Sequence, residues 1–150
     1  MITDNLEIRS ARTDDFPAVC ALLIDNSLPL DGIPGSLAGF IVAEQDNRIV
    51  GVGGVEVCGA YGLLRSVAVD VSSRNAGVGG KIVERLIDEA HKNDVHSLFL
   101  LTTTAENYFP SHGFVRTERD SVPDPVRATK EFTEACPSSA TVMRRDLIRD

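Results

Sequence analysis

Seven residues, Arg74-Asn75-Ala76-Gly77-Val78-Gly79-Gly80, lie between an apolar run from Leu63 to Val71 and an amphipathic run from Val78 to Ala90. The pattern is that of a strand, a glycine-rich turn and a helix. Gly77 and Gly79 carry no Cβ, so the main chain there can approach a ligand closely. The first helical turn offers unpaired N–H groups and the positive end of the helix dipole. Such a junction is a cradle for a pyrophosphate, and Arg74 at its lip adds a fixed positive charge. A P-loop needs Gly-x-x-x-x-Gly-Lys-Ser/Thr. Gly80-Lys81 is followed by Ile82, and Asn75 stands where the first glycine belongs, so the chain has no P-loop here. Glycine-rich helix starts also arise for packing, which is the alternative for this segment. A second cluster, Gly51-Val52-Gly53-Gly54, resembles the start of a dinucleotide fingerprint. Val55, Val57 and Cys58 continue a strand beyond it, and no helix follows to receive a phosphate. It reads as backbone crowding or a bulge within a strand.

The chain has 150 residues, 43% of them apolar, which predicts one folded domain spanning 1–150 with a real core. No apolar run is long enough to span a bilayer, and Met1 to Arg12 mixes charges among its apolar residues, unlike a signal peptide. The expectation is a cytoplasmic protein with no membrane partner. The net charge of −7 argues against general nucleic-acid binding, but not against an anionic ligand that cradle amides and Arg74 would hold locally. Cys20, Cys58 and Cys136 are an odd count without metal-like spacing, so free thiols are expected and no metal.

Along the chain, Leu6–Arg9 reads as a strand, and Thr13-Asp14-Asp15 as the cap and acidic first turn of a helix running to about Asn26. Residues 28–39, rich in Pro and Gly, read as a loop. Phe40–Gln45, Arg48–Cys58 and Tyr61–Asp70 read as a three-strand meander. The cradle and its helix follow, with Val78, Ile82, Leu86 and Ala90 on one face. Leu98–Leu101 has the continuous apolar character of a buried strand. Ala105–His112 reads as a short helix stopped at Gly113, Phe114–Glu118 as a strand, Val126–Ala135 as a short amphipathic helix and Ala140–Arg145 as a last strand.

Arg74-x-x-Gly77-x-Gly79 after a strand resembles the acetyl-CoA signature of the GNAT N-acetyltransferases. Arg9-Ser10-Ala11-Arg12-Thr13-Asp14-Asp15 is similar to the family's opening, and Ala105 to Gly113-Phe114 to its second signature, a short helix closed by Gly-Phe. The resemblance covers nearly the whole chain. It implies an α/β GNAT fold, a mixed and mostly antiparallel central sheet flanked by helices, with elements in the order βαβββαβαβ(α)β. Leu101-Thr102-Thr103-Thr104-Ala105-Glu106, Gly113-Phe114, Thr129-x-Glu131-Phe132 and Cys136-Pro137-x-Ser139-Ala140 further resemble the short GNAT proteins of arsenic-resistance gene clusters. These look related to amino-acid N-acetyltransferases.

The resemblance implies a function: acetyl passes from the cosubstrate acetyl-CoA to the primary amine of a small molecule, an amino acid or analogue. It implies that Arg74, Asn75, Ala76, Gly77, Val78, Gly79 and Gly80 hold the pyrophosphate, and that the main chain at Val67, Ala68 and Val69 pairs with the pantetheine arm. One N–H there would stabilise the thioester oxyanion. Family members use a Tyr four residues before Gly-Phe as general acid; that position is Phe109 here, which would line the cofactor arm. Tyr108 is its neighbour, but adjacent helical residues point about 100° apart, so either Tyr108 has been re-aimed or the thiolate leaves with a water's help. Thr102 stands where many relatives carry an Asn toward the cofactor arm. Glu56, in an otherwise apolar strand, is the candidate base, since burial favours proton uptake by a carboxylate; the alternative is an outward-facing strand carboxylate. Arg65, with Ser66 beside it, is a candidate clamp for an acceptor carboxylate, or else part of a surface ion pair.

His91, His96 and His112 have no zinc spacing and read as surface or helix-end residues. Cys58 and Cys136 are either trivalent-arsenic ligands or buried inert thiols. A catalytically weak CoA-binding or arsenical-sensing module is the alternative function, and transfer to protein N-termini or lysines a third. The family's members are often homodimers, and the resemblance extends that expectation to this chain.

Overall fold

The computed structural model describes residues 6–30, 32–73, 77–103, 107–129, 132–133 and 140–147. Seven strands form one sheet: β1 (Glu7–Ser10), β2 (Phe40–Gln45), β3 (Arg48–Cys58), β4 (Tyr61–Val69), β5 (Ser97–Thr102), β6 (Val115–Arg116) and β7 (Thr141–Asp146). Their order across the sheet is β1-β2-β3-β4-β5-β7-β6, and every pairing is antiparallel except β4 with β5. Among the described residues three α-helices accompany it: α1 (Phe16–Asp25), α2 (Val78–Lys92) and the short α3 (Asp124–Arg127).

Side-chain alternation along the strands divides the core. Ile41, Ala43, Val55, Leu64, Leu98, Leu100 and Met143 pack with the apolar stripe of α2, which is Val78, Ile82, Val83, Leu86, Ile87 and Ala90. Phe40, Val42, Val52 and Ala68 face the other way and pack with Val19, Leu22 and Leu23 of α1. Further along, Cys58, Leu63, Phe99 and Val142 meet Val126 of α3. The glycine cluster of β3 is crowded on both faces. A Cβ on Gly53 would sit 2.7 Å from Ile82 Cγ2, and one on Gly54 2.8 Å from the Phe40 ring. The crowding is present; where the β3–β4 register shifts between Val52 and Gly54, the extra residue is on β4, opposite Gly53, and not in the glycine cluster.

Several elements differ from the sequence expectation. Thr13–Asp15 is a 3₁₀ turn and α1 begins only at Phe16, with Pro17 in its first turn. The segment before Gly113 is a 3₁₀ turn over Phe109–His112, where Pro110 has no N–H to give an α-helical ladder. β6 holds two residues rather than five, because Phe114 turns into the core against Phe109. α3 starts at Asp124, with Pro125 in its first turn, rather than at Val126. Its expected continuation to Ala135 lies partly outside the described residues.

Arg9 ties β1 to β2 and to the start of α1. Its guanidinium donates to both carboxylate oxygens of Asp15, at 2.9 and 3.0 Å, and to Glu44 at 2.9 Å. Asp15 also accepts from the Arg12 N–H at 2.7 Å. These bonds, the Arg9 guanidinium foremost, hold the Asp15 carboxyl below the usual carboxylate range. A group depressed in this way stabilises the fold fully above the unfolded-chain value of about 3.9, and that stabilisation is lost as pH falls through the folded value. Asp15→Asn removes the charge from one of the two carboxylates that hold the Arg9 guanidinium, leaving Glu44, and should cost about 1–2 kcal/mol at pH 7. Urea unfolding at pH 7 and pH 3 checks this: the gap between native protein and variant should narrow at pH 3, and a gap independent of pH would contradict it.

Candidate active site

β4 and β5 pair only from Tyr61–Ser97 to Leu63–Phe99, and then part. The parting opens a cleft of about 520 Å³, within the usual range for a small-molecule site. One wall is Leu64 to Val69 of β4, the other Leu100 to Thr102 of β5, and Asn26, Leu28 and Pro29 border it from the loop after α1. Gly77, Val78, Gly79 and Gly80 close one end with the first turn of α2. Gly77 has φ +78°, a conformation that favours glycine, and a Cβ there would meet nothing within 4 Å. The cleft end is thus main chain and helix dipole, as an anionic group requires. Arg74, Asn75 and Ala76, the rest of the expected cradle, lie outside the described residues.

A bulge sits at the middle of the β4 wall. Gly54 pairs with Arg65 and Val52 with Ala68, so Ser66 and Val67 together stand opposite Gly53. Ser66 accommodates the extra residue with φ +60°, in the left-handed region. Val67 and Val69 turn their side chains to the α2 side of the sheet while Ala68 faces α1.

Arg65 is 3% exposed, so it is no part of a surface ion pair. Its Nε donates to Ser66 Oγ at 3.1 Å, and its Nη1 faces Glu56 Oε1 at 3.5 Å. Arg65 lines the main cleft and also a second recess of about 360 Å³, bordered by Glu56, Val57, Phe40, Gly39 and Pro34. The two spaces therefore meet at one buried guanidinium. Glu56 is less buried than its apolar surroundings suggested: its side chain is 38% exposed, although Oε1 itself is covered and accepts no hydrogen bond. It lines the second recess and not the cofactor cleft.

A family model described as an acetyltransferase (GNAT) domain matches residues 36–116.

This chain belongs to the GNAT acetyltransferases. Members of that family are acetyl-CoA-dependent acyltransferases, with acetyl-CoA as cosubstrate. An amino-acid acetyltransferase of Mycobacterium tuberculosis (strain ATCC 25618 / H37Rv) is 32% identical over 143 residues, covering 87% of this chain and 78% of that protein. The fold matches N-acetylglutamate synthase of Neisseria gonorrhoeae, solved with coenzyme A and N-acetyl-glutamate, at a TM-score of 0.83 and 21% identity. That match covers 99% of this chain and 36% of the other, so this acetyltransferase spans about a third of that enzyme's length. A Mycobacterium tuberculosis protein solved in complex with CoA matches at a TM-score of 0.77 and 26% identity, over 95% of this chain and 99% of its own.

Within the acetyltransferase cleft, Phe109 is buried and stacks edge-to-face on Phe114 and on Tyr108. Thr102 is also buried and borders the cleft at the far end of β5. Tyr108 is 40% exposed, and its hydroxyl reaches toward the first turn of α2, 3.6 Å from where a Cβ on Gly79 would stand. Burial, reinforced by the Glu84 carboxylate, raises the phenol's pKa. His112, expected at the surface or a helix end, does end the 3₁₀ turn, but its side chain is only 13% exposed and lies between Tyr108 and Glu84. The i, i+4 spacing of Tyr108 and His112 was the available signal; the pairing with α2 was not.

Cys58 is buried, and burial followed by the Glu56 carboxylate pushes its thiol up to about 11. Cys136 lies outside the described residues. No group of three or more His, Cys, Asp or Glu among the described residues is placed to hold a metal, and no described helix is long and apolar enough to cross a membrane.

Gly79→Val places a branched side chain at the cleft end, where a Cβ already touches Val69 and approaches Tyr108. The affinity for acetyl-CoA should fall at least about tenfold, roughly 1.4 kcal/mol. A folded variant that binds normally in calorimetry would remove this end of the cleft from the cofactor site.

Proposed function

We propose that this protein transfers acetyl from acetyl-CoA to the amine of an amino acid or close analogue. The observation that carries the proposal is Arg65 facing Glu56 at 3.5 Å where the cofactor cleft meets the second recess. A free amino acid presents a carboxylate and an ammonium a few bonds apart. A buried guanidinium beside a carboxylate complements both, and the guanidinium fork can take a carboxylate through two parallel bonds. The 32% identity to an amino-acid acetyltransferase supports the same acceptor class.

In this reading the acceptor enters by the second recess and acetyl-CoA lies in the cleft. Arg65, steadied by Ser66, orients the acceptor carboxylate, and Glu56 takes a proton from the ammonium so that the amine can attack the thioester. The main chain of Val67 to Val69 lies along the pantetheine arm, with the bulge turning a backbone N–H toward the developing oxyanion. Gly77 to Gly80, with Arg74, Asn75 and Ala76, hold the pyrophosphate. Thr102 and Phe109 line the arm. Tyr108 gives its proton to the departing thiolate: its hydroxyl is in the cleft, and its raised pKa keeps it protonated at neutral pH. Phe109, in the family's usual acid position, has no proton to give.

A link to arsenic resistance rests on the residue pattern of Leu101 to Glu106, Gly113-Phe114 and the segment from Thr129 to Ala140. It concerns which amino-acid analogue is acetylated. An arsenical-sensing role finds less support, since the Cys58 thiol is buried and held protonated.

A panel of amino acids, their amides and short peptides, followed by release of CoA thiol, tests the acceptor class. Amino acids should be used well and their amides poorly. Arg65→Lys should already lower the acceptor's kcat/KM, and Arg65→Ala should lower it by about a hundredfold, with acetyl-CoA binding unchanged. The defect should shrink when the acceptor is supplied as its amide. Equal losses on acid and amide would mean that Arg65 serves the fold or the cofactor instead.

A further inference from the structure

Beside the cofactor cleft, three side chains from two elements form one continuous hydrogen-bonded array. The Tyr108 hydroxyl lies 3.1 Å from His112 Nε2, and His112 Nδ1 lies 2.7 Å from Glu84 Oε2. Tyr108 and His112 belong to the turn after β5, and Glu84 to the second turn of α2. The tyrosine and imidazole rings are tilted against each other at 5.1 Å. The array runs from a hydroxyl on the cleft wall, through an imidazole with 13% exposure, to a carboxylate with 56% exposure. It thus connects the cleft to bulk water. A carboxylate at 2.7 Å from Nδ1 needs a proton on that nitrogen, which leaves Nε2 as the atom that exchanges with the phenol. Among the described residues, the charged and titratable groups bonded to His112 are Glu84 from α2, Tyr108 from its own turn and Arg145 from β7, whose Nη1 donates to the His112 carbonyl at 2.8 Å.

We propose that Glu84, His112 and Tyr108 are a proton relay that supplies the thiolate leaving group through the Tyr108 hydroxyl. The proposal rests on Tyr108 as the proton donor of the reaction. With both ring nitrogens protonated, His112 donates Nε2–H to the phenolic oxygen, and the phenol's own O–H turns to the cleft. When the carbon–sulfur bond breaks, its electron pair goes to sulfur and the Tyr108 proton follows. The Nε2 proton of His112 moves to the phenolic oxygen, so no phenolate accumulates. His112, now neutral, keeps its Nδ1–H on Glu84 and regains a proton from water. His112 and Glu84 touch neither cosubstrate carbon nor amine; they are positioning residues that act through Tyr108.

Steady-state kinetics on Tyr108→Phe, His112→Gln and the double variant, each across pH, test the relay and its premise separately. Tyr108→Phe should lower kcat by about a hundredfold; full kcat in that variant would sink the premise that Tyr108 is the donor. His112→Gln can still donate to the phenol but cannot surrender the proton. It should lower kcat about tenfold or more with the acetyl-CoA KM within about twofold. It should cost nothing further in the Tyr108→Phe background. Added imidazole should restore part of the kcat of His112→Ala, which a purely structural histidine would not show. With Tyr108→Phe impaired, three results would overturn the relay: normal kcat in His112→Gln, a loss confined to the acetyl-CoA KM, or additive losses in the double variant.

Discussion

The site depends on β4 leaving β5. Two parallel strands that stayed paired would leave no space between them, and the β4 residues assigned to the cosubstrate would be interior sheet. The pairing lasts only to Leu63–Phe99, and the bulge at Ser66 follows within three residues. A bulge adds local twist and bends its strand, so β4 follows β3 at one edge while turning away from β5 at the other. β3 tolerates the bend because Gly53 and Gly54 have no side chains to be driven into Ile82 or Phe40. Gly53, with Gly51, also lets α2 pack close to the sheet, which brings its first turn to the end of the cleft. One backbone irregularity thus places an open strand edge, a helix N-terminus and a buried arginine around one volume.

The electrostatics of that volume run against the net charge of the chain. A protein of net charge −7 must hold a polyanionic cosubstrate by local fields rather than by its overall field. The cleft supplies these from main-chain amides and from the α2 dipole at Gly77. Arg65 supplies the positive charge at the other end, beside Glu56. A buried guanidinium is costly without a carboxylate near it. Glu56 supplies one, with Oε1 at 3.5 Å from Nη1, and the proposed acceptor, a zwitterion, would bring a second carboxylate to the same guanidinium.

Much of the architecture was legible because it follows from periodicity. The meander, α2 and β5 were read to within two residues at their ends, since their apolar patterns are long and regular. The junction of strand, glycine turn and helix at Gly77 was legible from glycine spacing. Three things were not. The bulge is carried by Ser66 in a left-handed conformation, and no glycine marks it. Glu56 borders an open recess beside Arg65, and periodicity along one strand does not report what covers its neighbours. The Tyr108–His112–Glu84 array joins residues 24 and 28 positions apart across two elements, and only the i, i+4 half of it leaves a trace in the sequence. The short segments on either side of Gly113 are less regular than their amphipathic pattern, because Pro110, Pro123 and Pro125 set local turns that override it.

The central claim is that acetyl-CoA lies along the parted edge of β4. A crystal structure of the protein with bound CoA tests it most directly. The account predicts the pantetheine arm beside Val67 to Val69, the pyrophosphate at the first turn of α2, and the thiol end directed toward Arg65 and Glu56. Ordered CoA bound elsewhere on the surface, with the space between β4 and β5 filled by water, would contradict it.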